Sequence, residues 1–141
     1  MEKYSIDDPR RYGDPDDIKA VEDDEDLKYR KSMNDKYEEF VNLLLSFLEA
    51  TYYPERSDED TIKGFVEEQY PQSIEGAIKE GREVLELKPF PWEWVSGVTN
   101  GLPCKPGEEK IYTDEELAIR WVVWMIEALE KEGRRVGKLP L

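Results

Sequence analysis

Residues 37–48 read YEEFVNLLLSFL and have strong helical periodicity. Leu43 and Leu45 widen the apolar stripe of this stretch, so we expect its helix to lie at the centre of the fold. The helix is expected to begin near residues 33–35 and to end before Pro54. The stripe itself recurs at spacings of three and four, which is typical of one helical face, and consists of Tyr37, Phe40, Val41, Leu44, Phe47 and Leu48.

Two further helices are predicted directly after this stretch. Ser57 precedes three acidic residues, a pattern typical of a helix N-terminus, and the helix that it caps is expected to end before Pro71. Ser73 is expected to cap the next helix. Gly81 falls on the apolar stripe of that helix, which indicates a close approach by a neighbouring helix.

The last main helix begins at a capping box, because Thr113 is followed three residues later by Glu116 and then by an apolar run. It is expected to end at Gly133. A short helix is predicted between Pro91 and Asn100, in a segment rich in proline and glycine. No strand-like alternation lasts beyond four residues. The sequence therefore predicts an all-α fold, a compact bundle of about four main helices plus one or two short ones.

The composition divides the chain into three segments. Its 141 residues include 34 acidic and 20 basic residues, for a formal net charge of −14. Residues 1–31 hold few large apolar side chains and are expected to form an acidic N-terminal arm, mobile or loosely docked. Residues 32–133 are expected to form the helical domain, and residues 134–141 a basic, frayed tail. The length fits a single folded domain.

The charge and the hydropathy exclude two classes of partner. A chain this acidic repels nucleic acid phosphates and anionic lipids, so we expect no nucleic acid and no membrane partner. The longest apolar run, residues 41–48, is too short to span a bilayer. The N-terminal residues lack the apolar core of a secretory signal. We therefore expect a cytoplasmic protein.

The residue types leave little room for catalysis. The chain has no histidine and only one cysteine, Cys104. The Ser/His and Cys/His nucleophile arrangements are thus excluded, and Cys104 is expected to be an inert loop residue. We predict no catalytic residue, no cofactor and no metal ligand, and do not expect an enzyme. Three carboxylate pairs lie beside apolar stripes and are expected to face solvent. These pairs are Glu38–Glu39, Glu67–Glu68 and Glu115–Glu116. A Mg²⁺-dependent all-α hydrolase that uses such carboxylates stays an alternative.

The four tryptophans fall into two pairs. Trp121 and Trp124 stand at helical spacing and are expected to lie in the core. Trp92 and Trp94 follow a Pro-rich loop, so that either burial or a role as contact anchors is open to them. A helical domain with a large negative charge and no catalytic set favours binding to a basic protein.

A longer stretch resembles a known family. Residues 40–87 read FVNLLLSFLEATYYPERSDEDTIKGFVEEQYPQSIEGAIKEGREVLEL. This succession of an apolar helix, an aromatic and acidic bend and a helix with an acid-rich start resembles the small helical immunity proteins of contact-dependent growth inhibition systems. With the loop and the terminal amphipathic helix, the resemblance covers about residues 37–132.

The resemblance implies a cytoplasmic antitoxin-like protein that binds and neutralises the C-terminal toxin domain of a delivered effector, often a nuclease. Active-site blocking and exosite binding both stay open as modes of inhibition. An acidic interaction module, or a nucleic acid mimic unrelated to toxins, is the alternative. From charge and aromatic content we predict these partner-binding residues: Tyr52, Tyr53, Asp58, Glu59, Asp60, Glu67, Glu68, Trp92 and Trp94.

Overall fold

The computed structural model describes residues 25–102 and 107–140, and all regular structure in them is helical. The all-α fold class is therefore confirmed. None of the described helices is both long and apolar enough to cross a membrane. The described residues form six α-helices, and a 3₁₀ turn at Glu108–Lys110 precedes the last of them. The helices are α1 Glu25–Lys36, α2 Glu38–Ala50, α3 Asp58–Glu68, α4 Pro71–Leu85, α5 Trp92–Thr99 and α6 Asp114–Arg135.

Helix α1 belongs to a first unit, which ends at Lys36, and the other helices belong to a second unit, which begins at Tyr37. The predicted acidic arm lies outside the described residues up to residue 24. From Glu25 onward the chain is helical and crosses the boundary predicted at residue 31. The helix has no apolar stripe, and ion pairs three and four residues apart support it: Lys28–Glu25, Arg30–Asp26 and Lys31–Asp35.

Helix α2 lies at the centre of the second unit, as its sequence predicts. It packs against α3, α4 and α5. It begins later than expected, because Tyr37 adopts φ −119° and ψ 47°, outside the helical region. The side chain of Leu45 is 45% exposed, whereas the buried face consists of Phe40, Leu43, Leu44 and Phe47.

Helix α6 completes the core, since it too packs against α3, α4 and α5. The rings of Phe47 and Trp121 meet edge to face with their centroids 5.2 Å apart. A Cβ atom on Gly81 would lie 3.1 Å from Ile126 Cδ1 and 3.3 Å from Phe40 Cδ1. Three helices therefore meet at this glycine, and the predicted close approach is confirmed.

The structure confirms the predicted cap at Ser57 and the predicted capping box at Thr113, and it shows that Ser57 also forms a capping box with Asp60. The Ser57 hydroxyl accepts a hydrogen bond from the Asp60 N–H, and the Thr113 hydroxyl accepts one from the Glu116 N–H, both at 3.1 Å. Helix α4 begins at Pro71 and not at the predicted Ser73. Proline suits this position, because its fixed φ is helical and its missing N–H has no partner in a first turn.

The predicted end of α6 and the frayed tail are both wrong. Helix α6 continues past Gly133 to Arg135, and the chain then reverses at Gly137, where φ is 80°. The backbone N–H groups of Lys138 and Leu139 donate to the Gly133 carbonyl at 2.8 and 3.0 Å. A Cβ on Gly133 would lie 2.5 Å from Leu139 Cδ1. Leu139 packs closely against Gly133, and this glycine does not end the helix.

Candidate functional site

An exposed bend joins α2 to α3. Every residue of this segment, residues 51–60, is exposed, and we call the segment the bend. Pro54 prevents the helix from continuing, because it has no N–H to donate. Tyr52 and Tyr53 expose 78% and 43% of their surfaces. The Arg56 guanidinium lies 4.6 Å from the centroid of the Tyr53 ring, within the range of a cation–π contact.

The three acids predicted at the start of α3 differ in their availability to a partner. The Asp60 carboxylate accepts a hydrogen bond from the Ser57 N–H at 3.3 Å as part of the capping box. Asp58 and Glu59 are exposed beside it. Partial desolvation, and then the neighbouring Glu59 carboxylate, raise the pKa of Asp58 above its usual value. The bend thus presents the Asp58 and Glu59 carboxylates and two tyrosine rings on one continuous stretch.

Glu67 and Glu68 are exposed at the opposite end of α3. Eight residues of helix separate Glu67 from Glu59, a rise of about 12 Å at 1.5 Å per residue. Tyr70, which sequence reasoning did not select, is 78% exposed at this end. The Lys138 ammonium donates three hydrogen bonds of 2.7–2.9 Å to the carbonyls of Val66, Glu67 and Gln69. The structure therefore separates these two glutamates from the bend.

The two loop tryptophans differ in burial. Trp94 is 3% exposed, and its ring centroid lies 6.1 Å from that of Tyr37 and 6.2 Å from that of Phe40. The expectation that Trp94 contacts a partner is thus corrected, because α5 packs this side chain into the core. Trp92 is half-buried at the first position of α5. Asn100, with φ 58°, ends α5 as predicted.

A groove of about 740 Å³ lies between α3 and α6, and sequence reasoning did not find it. Trp121 is 8% exposed and confirms its predicted core position. Trp124 is only half-buried and lines the groove, so the prediction of a core position is corrected for this residue. One signal was present in the sequence, since several of the lining residues of α6 recur at helical spacing beside the apolar stripe. The groove is lined by Glu59, Ile62, Lys63, Trp124, Glu127, Ala128, Lys131, Glu132 and Arg135.

The bend and the groove are neighbours. Glu59 belongs to both, and the rings of Phe47, near the end of α2, and Trp124 lie 6.4 Å apart. Among the described residues, no cluster of His, Cys, Asp and Glu side chains has the geometry of a metal site. Cys104 lies outside the described residues. Exposed carboxylates and phenol rings of this kind accept ion pairs and hydrogen bonds from cationic side chains and give them flat apolar contacts.

Comparison of the chain with protein family models, with curated proteins and with solved structures finds no match.

Proposed function

We propose that this chain is an immunity protein, which binds and neutralises the toxin domain of a contact-dependent growth inhibition effector. The toxin domain is basic and of the nuclease class, and the two proteins meet in the cytoplasm. The observation that carries the proposal is the bend, where Tyr52 and Tyr53 are exposed beside the carboxylates of Asp58 and Glu59. The resemblance of residues 37–132 to helical immunity proteins supports the same role.

Charge and aromatic side chains contribute to binding in different ways. A net charge of −14 attracts a basic partner over a distance of about one Debye length, roughly 8 Å at physiological salt. Charge complementarity of this kind raises the association rate more than the final affinity. Tyrosine rings supply contact area with little loss of side-chain entropy, and they are enriched among the residues that dominate binding energy.

The bend neutralises the toxin by occupying the basic surface with which a nuclease binds its nucleic acid substrate. Carboxylates on the bend take the place of phosphates there. The bend either reaches the catalytic residues of the toxin or covers an adjacent exosite. A crystal structure of the complex separates these two modes.

The direct test is to search upstream of this gene for a reading frame of a secreted toxin and to co-express its C-terminal domain with this chain. We expect restored growth and a complex that co-purifies. Reversing two charges with Asp58→Lys and Glu59→Lys is expected to slow association about tenfold at low salt, because steering depends on local charge. Asp60 is left unchanged, because its replacement would also break the capping box.

The chain offers a matched control for each change. Glu67→Lys with Glu68→Lys alters the net charge equally, but at the far end of α3, and is expected to change the association rate by less than about twofold.

Tyr52→Ala is expected to weaken binding by about 2 kcal/mol, the size typical of an aromatic hot spot. Tyr70→Ala is its control, because both rings are 78% exposed.

Three results would contradict the proposal. Failure of the wild-type chain to bind the toxin domain or to restore growth would leave the chain as an acidic interaction module of another kind. Calorimetric binding of Mg²⁺ or Mn²⁺ at a defined stoichiometry would favour the hydrolase alternative. Equal effects of the paired variants would remove the bend from the interface.

A further inference from the structure

The groove between α3 and α6 is electrostatically polarised along its length. The two helices run in the same direction past it, because Lys138, beyond the end of α6, reaches the C-terminal end of α3. Glu59 and Glu127 line one part of the groove, and Lys63 and Lys131 follow each of them by four residues. Four residues of helix correspond to about 6 Å. The sign of the charge therefore changes within one helical turn on both walls.

The basic part of the groove contains a carboxylate that is already paired. Glu132 is 8% exposed, and its two oxygens accept hydrogen bonds from the Arg135 Nε at 3.0 and 3.1 Å. These bonds lower the pKa of Glu132, and the nearby charges of Lys63 and Lys131 lower it further. Three cations thus surround one buried carboxylate, and this part of the groove keeps a positive excess.

The acidic part of the groove has an aromatic floor. Trp124 is half-buried there, with the Phe47 ring packed against it at 6.4 Å and the small side chain of Ala128 one turn further on. Tryptophan is the strongest cation–π partner among the side chains, and neighbouring carboxylates add to its attraction for a lysine or arginine.

We infer that this groove holds a segment of the partner that carries two opposite charges one helical turn apart. A lysine or arginine of the segment lies over Trp124, between Glu59 and Glu127. An aspartate or glutamate of the segment meets Lys63 and Lys131. The inference rests on the proposed function, since it takes the segment to belong to the toxin domain that binds the bend.

The test measures affinity for the toxin domain with variants confined to the groove. Trp124→Ala, Glu127→Lys, and Lys63→Gln with Lys131→Gln are each expected to weaken binding at least about tenfold. Glu59 is left unchanged because it also belongs to the bend. The control for Glu127→Lys is Glu75→Lys, and the control for the double lysine variant is Lys79→Gln with Lys110→Gln. All three control positions are exposed and lie outside the groove, so these variants are expected to bind like the wild type. Circular dichroism checks that each variant is folded.

The outcomes separate this inference from the proposed function. If the toxin domain binds the wild type and the groove variants bind like their controls, the groove inference is overturned and the proposed function stands. If the groove variants self-associate less than the wild type in sedimentation experiments, the groove binds a second copy of this chain. That result also overturns the groove inference.

If the wild type does not bind the toxin domain, the proposed function fails and a peptide decides the inference. The probe is a synthetic alanine-rich helix of sixteen residues with one arginine and one glutamate four positions apart. We expect this helix to change the tryptophan fluorescence of the wild type but not of Trp124→Phe. Absence of binding, or binding unaffected by Lys63→Gln with Lys131→Gln, overturns the inference.

Discussion

At the residue scale, two glycines inside helices occupy opposite environments. A Cβ on Gly64, in α3, would meet nothing within 4 Å. A Cβ on Gly81, in α4, would lie 3.1–3.3 Å from atoms of Ile126 and Phe40. Helix propensity favours alanine at both positions by about 1 kcal/mol, so only the packing distinguishes them.

We expect Gly64→Ala to raise the free energy of unfolding by about 0.5–1 kcal/mol. Gly81→Ala is expected to lower it by about 1 kcal/mol, because overpacking a core costs more than the propensity gains. Urea denaturation of the two variants beside the wild type measures both changes. Stabilisation by Gly81→Ala would contradict the close approach of α2, α4 and α6.

A second residue-scale feature is the carboxylate of Glu80, which caps α2 from α4. It accepts hydrogen bonds from the Glu39 N–H at 3.2 and 3.3 Å. Desolvation raises the pKa of Glu80, and the charges of Glu39 and Glu83 raise it further, against the lowering effect of these backbone hydrogen bonds. A carboxyl whose pKa is higher in the folded state stabilises the fold below its unfolded pKa. That contribution is lost as the pH rises through the folded pKa.

Glu80→Gln is therefore expected to raise the free energy of unfolding at pH 7, by about 0.5 kcal/mol given the partial exposure of the group. The amide oxygen still accepts the backbone hydrogen bond, and the difference from the wild type is expected to vanish near pH 4. Thermal unfolding between pH 4 and pH 7 measures this, with the exposed Glu75→Gln as the control. A loss of stability at pH 7 would mean that the charge of Glu80 stabilises the cap.

At the scale of the elements, α3 is held at both ends by different means. Its N-terminus is closed by the local capping box of Ser57 and Asp60. Its last turn contains no basic residue, and the Lys138 ammonium, supplied from beyond α6, takes three of its terminal carbonyls. The bend and the groove both depend on α3, so its two ends also position the candidate site.

Lys138→Met is expected to lower the free energy of unfolding by about 1–3 kcal/mol, because a charged donor to several carbonyls is removed from a helix C-terminus. Lys79→Met, at an exposed position on α4, is the control and is expected to change stability by less than about 0.5 kcal/mol. Chemical denaturation measures both variants, and hydrogen exchange locates the effect. Unchanged protection of the last turn of α3 would show that Lys138 does not hold it.

At the scale of the whole molecule, the net charge of −14 opposes folding through self-repulsion. Several ion pairs offset part of this, including Arg82–Glu130 and Arg134–Glu130, but their arginines are exposed. Exposed pairs contribute little to stability and are screened by salt in the same way as the repulsion. We therefore expect the excess of acids over bases to dominate the dependence of stability on salt.

We expect the urea concentration at the midpoint of unfolding to rise between 10 mM and 150 mM NaCl. The rise corresponds to a gain of about 1 kcal/mol in the free energy of unfolding, because screening shortens the reach of the repulsion from about 30 Å to about 8 Å. Urea is used because it is uncharged. Sucrose at equal osmolality is the control for a solvent effect. A midpoint that falls with salt would show that ion pairs outweigh the net charge.

The fold class was largely predictable because its determinants are local. Helical periodicity in residues 37–48 identified the central helix, and the caps at Ser57 and Thr113 fixed two helix starts within single turns. Helix α1 was missed as an element, because ion pairs support it and periodicity does not. The end of α6 was missed because the role of Gly133 depends on Leu139, which returns only after the chain reverses.

The sequence by itself determined the helical class, the negative charge and the exposed bend with its tyrosines and acids. Only the tertiary structure decided that Trp94 is buried, that Glu67 and Glu68 lie apart from the bend, and that Trp124 forms part of a polarised groove. The reason is physical. Periodicity and capping act between residues a turn apart, whereas burial and grooves depend on which helices pack side by side, and that is set by contacts distant in sequence.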